Sequence, residues 1–136
     1  MVYLTRVEHF NAAHRLYNEA WSDEENTRVF GKCANANWHG HNYELHVTIK
    51  GEPNPDTGFV FNAKTLGDLI KDVIVERADH RNLNLDVDFM KGKLTSAENF
   101  AINIWKELQP HVAGNGVQMH RVMLKETQNI YVEYFG

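Results

Sequence analysis

Residues 41–50, HNYELHVTIK, alternate without a break: Tyr43, Leu45, Val47 and Ile49 fall on one side, and Asn42, Glu44, His46, Thr48 and Lys50 on the other. Successive side chains of an extended chain point to opposite faces, so the pattern describes a strand with one face buried and the other in water. The strand stops at GEPNPDTG, residues 51–58, where Pro55, Asp56 and Gly58 carry turn chemistry.

Beyond the turn the period changes. Leu66, Leu69, Ile70, Val73 and Ile74 recur at helical spacing through KTLGDLIKDVIVERAD, residues 64–79. HRNLNLDVDFMKGK, residues 80–93, reads as a loop. Thr95 and Glu98 then have capping-box spacing, and Phe100, Ala101, Ile104, Trp105 and Leu108 continue an apolar face to Pro110, where a second helix should stop. The tail, residues 117–136, reads as two strands turning near Gln128 and Asn129, and residues 2–13 form a first strand.

The order is β-β-α-α-β-β, an α+β chain. Each element has one apolar side to bury, which predicts a four-stranded antiparallel sheet with both helices on one face and a polar opposite face. Such a sheet leaves exposed edge strands, and further copies of the chain are a natural cover for them.

The chain has 136 residues, 43% apolar and 24% charged, which suits a single globular domain over residues 1–136. No apolar run is long enough to span a membrane, and the N-terminal MVYLTRVEHF lacks the apolar core of a secretory signal, so a cytoplasmic protein is expected. A formal charge of -4 argues against a general nucleic-acid binder. The single cysteine, Cys33, has no internal disulfide partner and is free for metal binding, catalysis or packing.

His39 and His41 lie two apart at the start of the alternating strand, so their rings point to the same side and can share one ion. His14 closes the first strand, and pairing of the first two strands would bring it beside them. Three neutral imidazoles suit Zn²⁺ and leave a fourth position open, the arrangement of catalytic sites. In a chain with eight histidines, chance proximity is the alternative. His9, His46, His111 and His120 are read as surface or structural residues.

Cys33 has three readings at this stage: a fourth metal ligand, a thiolate nucleophile or base, or a small buried hydrophobe. Asp79 and His80 can form an oriented acid-base pair, yet adjacent side chains often diverge, and a solvent-facing pair at a helix end is the commoner outcome.

HFNAAHRLY (residues 9–17), FGKC-x5-HGHNY (30–43), the DH of RADHRNLN (77–84), TSAEN (95–99) and LKET (124–127) together resemble the 6-pyruvoyl tetrahydropterin synthase family, in the same order along nearly the whole chain. The resemblance implies the tunnelling fold, with three subunits joining sheets into a barrel and two trimers stacking as a homo-hexamer. It implies 7,8-dihydroneopterin triphosphate as substrate, elimination of triphosphate, and a place in tetrahydrobiopterin biosynthesis. It also implies zinc ligands at His14, His39 and His41, a catalytic thiol at Cys33, the acid-base pair Asp79 and His80 supplied by a different subunit, and pterin contacts from Glu126 and Glu98.

Trp38 and Ala97 depart from the family pattern, the first where a small residue is usual and the second where a hydroxyl residue is common. Arg15, Lys32 and Arg81 lie near the motifs, with no assignment to the triphosphate. One alternative is the 6-carboxy-tetrahydropterin synthase of deazapurine biosynthesis, which more often has three residues between the cysteine and HGH, where this chain has five, residues 34–38. The other is a non-catalytic zinc-binding domain with Cys33 as a structural fourth ligand.

Overall fold

Tyr43, Leu45, Val47 and Ile49 are at most 1% exposed, so the alternation of residues 41–50 does mark a buried face, while on the other face Asn42, Glu44, His46 and Lys50 keep exposure and Thr48 is buried. A computed structural model of the chain describes residues 1–114 and 116–136. β1 (Val2–His14) runs antiparallel to β2 (His39–Gly51) in unbroken register from Val2↔Gly51 to His14↔His39. β4 (Gln118–Lys125) pairs with the other side of β2, shifting register between Thr48 and Ile49, and β5 (Tyr131–Tyr134) pairs with β4.

The sheet is neither four-stranded nor wholly antiparallel. β3 (Arg81–Asn82) pairs parallel to β1 at Ala12 and Ala13, giving the order β3-β1-β2-β4-β5. Its flanks fasten it: the His80 N–H donates to the Asn11 carbonyl at 2.7 Å and the Leu83 N–H to the Ala13 carbonyl at 2.8 Å. Two residues cannot display an alternation, so no local pattern marks this strand inside the expected loop. A 3₁₀ turn, Asp88–Met90, also forms within that loop.

The first expected helix is present as α2 (Ala63–Ile70), a wider π turn (Lys71–Val75) and α3 (Glu76–Ala78). Asn62 starts it, its side chain accepting from the N–H groups of Lys64 and Thr65. Leu66, Ile70, Ile74 and Ala78, four apart, are 0% exposed. Burying each of the larger three stabilises the fold by about 1.5–3 kcal/mol. α4 (Ala97–Val112) is capped by Ser96, whose hydroxyl accepts the Asn99 N–H. The expected Thr95–Glu98 capping box is therefore displaced by one residue, because Thr95 is buried and used elsewhere. The helix also runs past Pro110 to Val112. So near the end, the proline forfeits a single bond to the carbonyl one turn back, and the last turn survives.

α1 (Asp23–Phe30) was not expected, since Asn26 is its only buried residue and no apolar stripe exists to reveal it. The Asn26 amide instead donates to the carbonyls of Asn18, Trp21 and Ser22, a polar lock. The available signal was the cap, as the Ser22 hydroxyl accepts the Glu25 N–H at 3.1 Å.

α2 packs on β1, and α4 on β4 and β5, over the buried face of the sheet. Phe10, Tyr43, Phe89 and Phe100 form an aromatic cluster at the end of the core nearest the histidines. The opposite face is polar, with the Thr5 and Thr48 hydroxyls 2.9 Å apart and Arg121 paired to Glu133 at 2.8 Å. The outer edge of β1 from Val2 to Asn11 carries no partner strand among the described residues. No helix among them is long and apolar enough to cross a membrane.

Candidate metal centre and active site

The register that pairs β1 with β2 sets His14 directly opposite His39 and Ala12 opposite His41. All three histidine side chains leave the sheet on its helix-bearing side, with ring centroids 4.5 Å apart for His14 and His39, 5.1 Å for His14 and His41, and 5.0 Å for His39 and His41. One ligand atom from each lies within 4.8 Å of the others.

The donor set fits a tetrahedral cation. His14 Nδ1 lies 2.7 Å from the Thr95 carbonyl oxygen, which can only accept, so Nδ1 carries the proton and Nε2 presents a lone pair. That Nε2 is 3.1 Å from His41 Nε2. Ligand nitrogens on a tetrahedral zinc are separated by about 3.3 Å, from Zn–N distances near 2.0–2.1 Å. His39 Nδ1 is buried without a hydrogen-bond partner, an orphaned polar atom of the kind an ion satisfies. Burial lowers the pKa of His14 below the ordinary imidazole value, and the neighbouring His39 lowers it further against the opposing bond to Thr95. Burial and then His39 likewise lower His41. Both rings therefore favour the neutral, metal-binding form.

Glu126 follows β4 and reaches the same place, its Oε1 lying 3.3 Å from His41 Nε2. The turn behind it is closed by the Glu126 N–H on the Ile130 carbonyl at 3.0 Å. His41 borders two clefts. One, of about 520 Å³, is lined by Asn11, Ala12, Ala13, His80 and Arg81 among others. The other, of about 440 Å³, includes His9, Glu44, Lys125 and Glu126.

Asp79 and His80 do not diverge. His80 takes a left-handed backbone, φ 60°, which swings its ring back so that Nδ1 lies 2.9 Å from Asp79 Oδ2. Asp79 Oδ1 accepts the Asn11 N–H at 3.0 Å. That backbone bond first, and His80 second among the favourable contacts, hold the Asp79 carboxyl below the usual carboxylate range. With Nδ1 given to Asp79, the imidazole keeps Nε2 for the cleft, and its side chain is 76% exposed. The expected solvent-facing position is therefore present together with the pairing.

Cys33 lies exposed in a 3₁₀ turn, Gly31–Ala34, which removes the buried-hydrophobe reading. It is absent from the metal-competent cluster among the described residues, which disfavours its reading as a fourth ligand. Its turn is tied to the end of β1: the Leu16 N–H donates to the Cys33 carbonyl at 2.7 Å, and Arg15 Nη2 to the Ala34 carbonyl at 2.9 Å. Cys33 lines neither cleft, so within one chain it does not meet His80 there. Glu98 is exposed on the first turn of α4. Trp38, directly before His39, also takes a left-handed backbone at φ 67°, and its ring centroid is 5.8 Å from the Arg15 guanidinium carbon. His9 and His46 both face Glu44 on the polar side of the sheet, and neither joins the three-histidine cluster.

Two neighbours of the site went unassigned in the sequence. Thr95, 1% exposed, supplies the carbonyl for His14, where the sequence offered it only as a helix cap within the TSAEN stretch. Tyr43, two residues after His41, places its ring 5.6 Å from that imidazole, and its buried hydroxyl has no partner. Burial, with Glu126 next, pushes the Tyr43 phenol up.

The family profile described as 6-pyruvoyl tetrahydropterin synthase matches residues 3–136. A 6-pyruvoyl tetrahydrobiopterin synthase from Pongo abelii is 45% identical over 127 residues, covering 93% of this chain and 86% of that protein. One from Dictyostelium discoideum is 42% identical over 135 residues, covering 99% of this chain and 96% of the other. The solved structure of 6-pyruvoyl tetrahydropterin synthase from Caenorhabditis elegans superposes with a TM-score of 0.92 at 38% identity, over 99% of this chain and 95% of that one.

Proposed function

The chain belongs to the 6-pyruvoyl tetrahydropterin synthase family, and on that premise we propose how its own residues divide the work. It is a lyase that converts dihydroneopterin triphosphate to 6-pyruvoyl tetrahydropterin with loss of triphosphate. The observation that carries the assignment of the site is the three-histidine cluster, with the His14 tautomer set by the Thr95 carbonyl.

His14, His39 and His41 would hold Zn²⁺ and leave a fourth position for substrate. When bound, the ion supplies a Lewis acid for the side-chain hydroxyls of the substrate and stabilises negative charge as a neighbouring carbon loses its proton. Glu126 accepts hydrogen bonds from the amide and amino edge of the pterin, charge-assisted contacts that fix the ring in one orientation. Its 3.3 Å distance from His41 supports this role by putting the ring anchor next to the histidines. Glu98 adds a second pterin contact.

Cys33 as thiolate takes the proton from the side-chain carbon. His80 Nε2, with Nδ1 held by Asp79, returns and removes protons as triphosphate departs and the side-chain carbinols become ketones. The electrons leaving the side chain are those gained by the ring, so the conversion balances without an external redox partner. Asp79 stays ionised and stabilises the imidazolium that forms at each transfer.

The complete site is read as shared between subunits of a homo-hexamer built from two barrel-forming trimers. Exposure of His80, the absence of Cys33 from its cleft, and the open edge of β1 support this reading. The protein is placed in the cytosol, without nucleic-acid or membrane partners.

The test is metal analysis alongside a product assay on Cys33→Ala. The variant should keep zinc and lose turnover, while the wild-type product retains the three-carbon side chain. Loss of zinc with the cysteine would remove Cys33 from catalysis, and release of acetaldehyde by the wild type would overturn the product assignment.

A further inference from the structure

The side chains of Asn84 and Thr95 converge on the backbone just beyond His14, whose ring the Thr95 carbonyl already engages. Arg15 comes after the end of β1, where no further strand residue is available to pair with it. Asn84 takes the place of that strand: its Oδ1 accepts the Arg15 N–H at 3.1 Å and its Nδ2 donates to the Arg15 carbonyl at 3.0 Å. A single side-chain amide thereby satisfies both backbone groups, as a neighbouring strand would. The Thr95 hydroxyl, 3.1 Å from the Arg15 carbonyl and 3.1 Å from Asn84 Oδ1, shares its one proton between them.

This small network ends at a metal-competent ring. Thr95 is pinned through its hydroxyl, and the carbonyl of the same residue accepts the His14 Nδ1 proton at 2.7 Å. Behind Thr95 stands the N-cap of α4, so the carbonyl is carried by a rigid helix start rather than a free loop. In this setting a buried threonine and an asparagine satisfy backbone groups, and they also decide which nitrogen of His14 is bare.

We propose that Asn84 and Thr95 are positioning residues for the metal centre, holding the Thr95 carbonyl so that His14 keeps its proton on Nδ1 and offers Nε2 as ligand. The proposal rests on the three-histidine reading of the site. A ligand ring whose outer hydrogen bond is lost binds its metal about 10–100-fold more weakly, which sets the size of the expected effect.

The experiment uses the whole assembled protein, stripped of metal, with Thr95→Val, Thr95→Ser and Asn84→Asp beside the wild type. Asn84→Asp keeps Oδ1 and removes the Nδ2 donor. Two quantities are read: Zn²⁺ affinity by competition with a chromophoric chelator, and the ¹⁵N shifts of the metal-free His14 ring, which report its tautomer. Thr95→Val and Asn84→Asp should weaken Zn²⁺ binding by about 10–100-fold and mix the His14 tautomers, with Thr95→Ser restoring both.

Folded variants with wild-type Zn²⁺ affinity and a pure Nδ1–H tautomer would overturn the proposal. If Thr95→Val does not fold, the tautomer of the wild type and the behaviour of Asn84→Asp decide: an Nε2–H ring in the wild type overturns the brace. If the wild type itself binds no Zn²⁺, the three-histidine reading fails, and the tautomer shift alone then supports or overturns the brace.

Discussion

His80 Nδ1 lies 2.9 Å from Asp79 Oδ2, a contact between adjacent residues that depends on the left-handed backbone of His80 at φ 60°. Asp79→Asn should leave the backbone bond to Asn11 largely intact while removing the charge that supports the imidazolium. The expected result is a kcat lower by about 10²-fold or more with KM little changed, from steady-state kinetics. A stability effect accompanies it. The folded Asp79 carboxyl titrates below its unfolded value, so its contribution is present above the unfolded pKa of about 3.9 and is lost as pH falls through the folded one. Thermal melts should therefore show the gap between wild type and variant closing on acidification, and a constant gap would contradict the assignment.

Removing metal with a chelator should abolish turnover, and added Zn²⁺ should restore it. His14→Ala, His39→Ala and His41→Ala should each leave less bound zinc on metal analysis and less activity. Full activity in a protein shown to be metal-free would remove the cluster from the mechanism.

Glu126→Gln replaces an ionised acceptor by a neutral amide beside His41. Hydrogen bonds to charged groups are worth about 1.5–3 kcal/mol, which predicts KM higher by roughly 10- to 100-fold. Zinc content should stay at the wild-type level, since Glu126 lies outside the three-histidine cluster. A variant that lost zinc while keeping its KM would reverse the two roles.

The proposed sharing of sites between subunits makes a quantitative prediction. In hexamers mixed equally from Cys33→Ala and His80→Ala chains, a site works when the cysteine comes from one variant and the histidine from the other, so about one quarter of wild-type activity should return. Distinguishable tags must first show that subunits have exchanged. Confirmed exchange with no recovered turnover, or an active monomer in sedimentation, would rule out the intersubunit site.

Tyr43→Phe should not destabilise the protein. The hydroxyl is buried without a partner, and an unsatisfied buried polar group costs about 1–3 kcal/mol. Removing it should raise the melting temperature by about 2–4 °C for each kcal/mol relieved, by calorimetry. A lower melting temperature would mean that the hydroxyl is bonded in solution.

The central strand and the helix of residues 64–79 were legible because each buries one face, and burial imposes a period that a sequence can display. The alternation of Tyr43, Leu45, Val47 and Ile49 and the recurrence of Leu66, Ile70 and Ile74 are such records. α1 and β3 escaped because their anchors are polar or lie in backbone atoms: the Asn26 amide in one case, the Asn11 and Ala13 carbonyls in the other. The three histidines were readable from strand spacing plus an assumed pairing of the first two strands, which the register His14↔His39 realises. The Thr95 carbonyl was not, since a backbone acceptor leaves no mark on residue identity.

The parallel fastening of β3 bears on how Asp79 and His80 move. The His80 and Leu83 amides donate to the Asn11 and Ala13 carbonyls, and Asp79 takes the Asn11 amide, so one short span of β1 holds the backbone of His80, the carboxylate of Asp79 and the loop beyond. Amide exchange at His80 and Leu83 should therefore be slower than in an untethered loop. Reorientation of the proposed acid-base pair then falls to rotation of the His80 side chain, a motion of picoseconds to nanoseconds for an exposed residue once its contact with Asp79 opens.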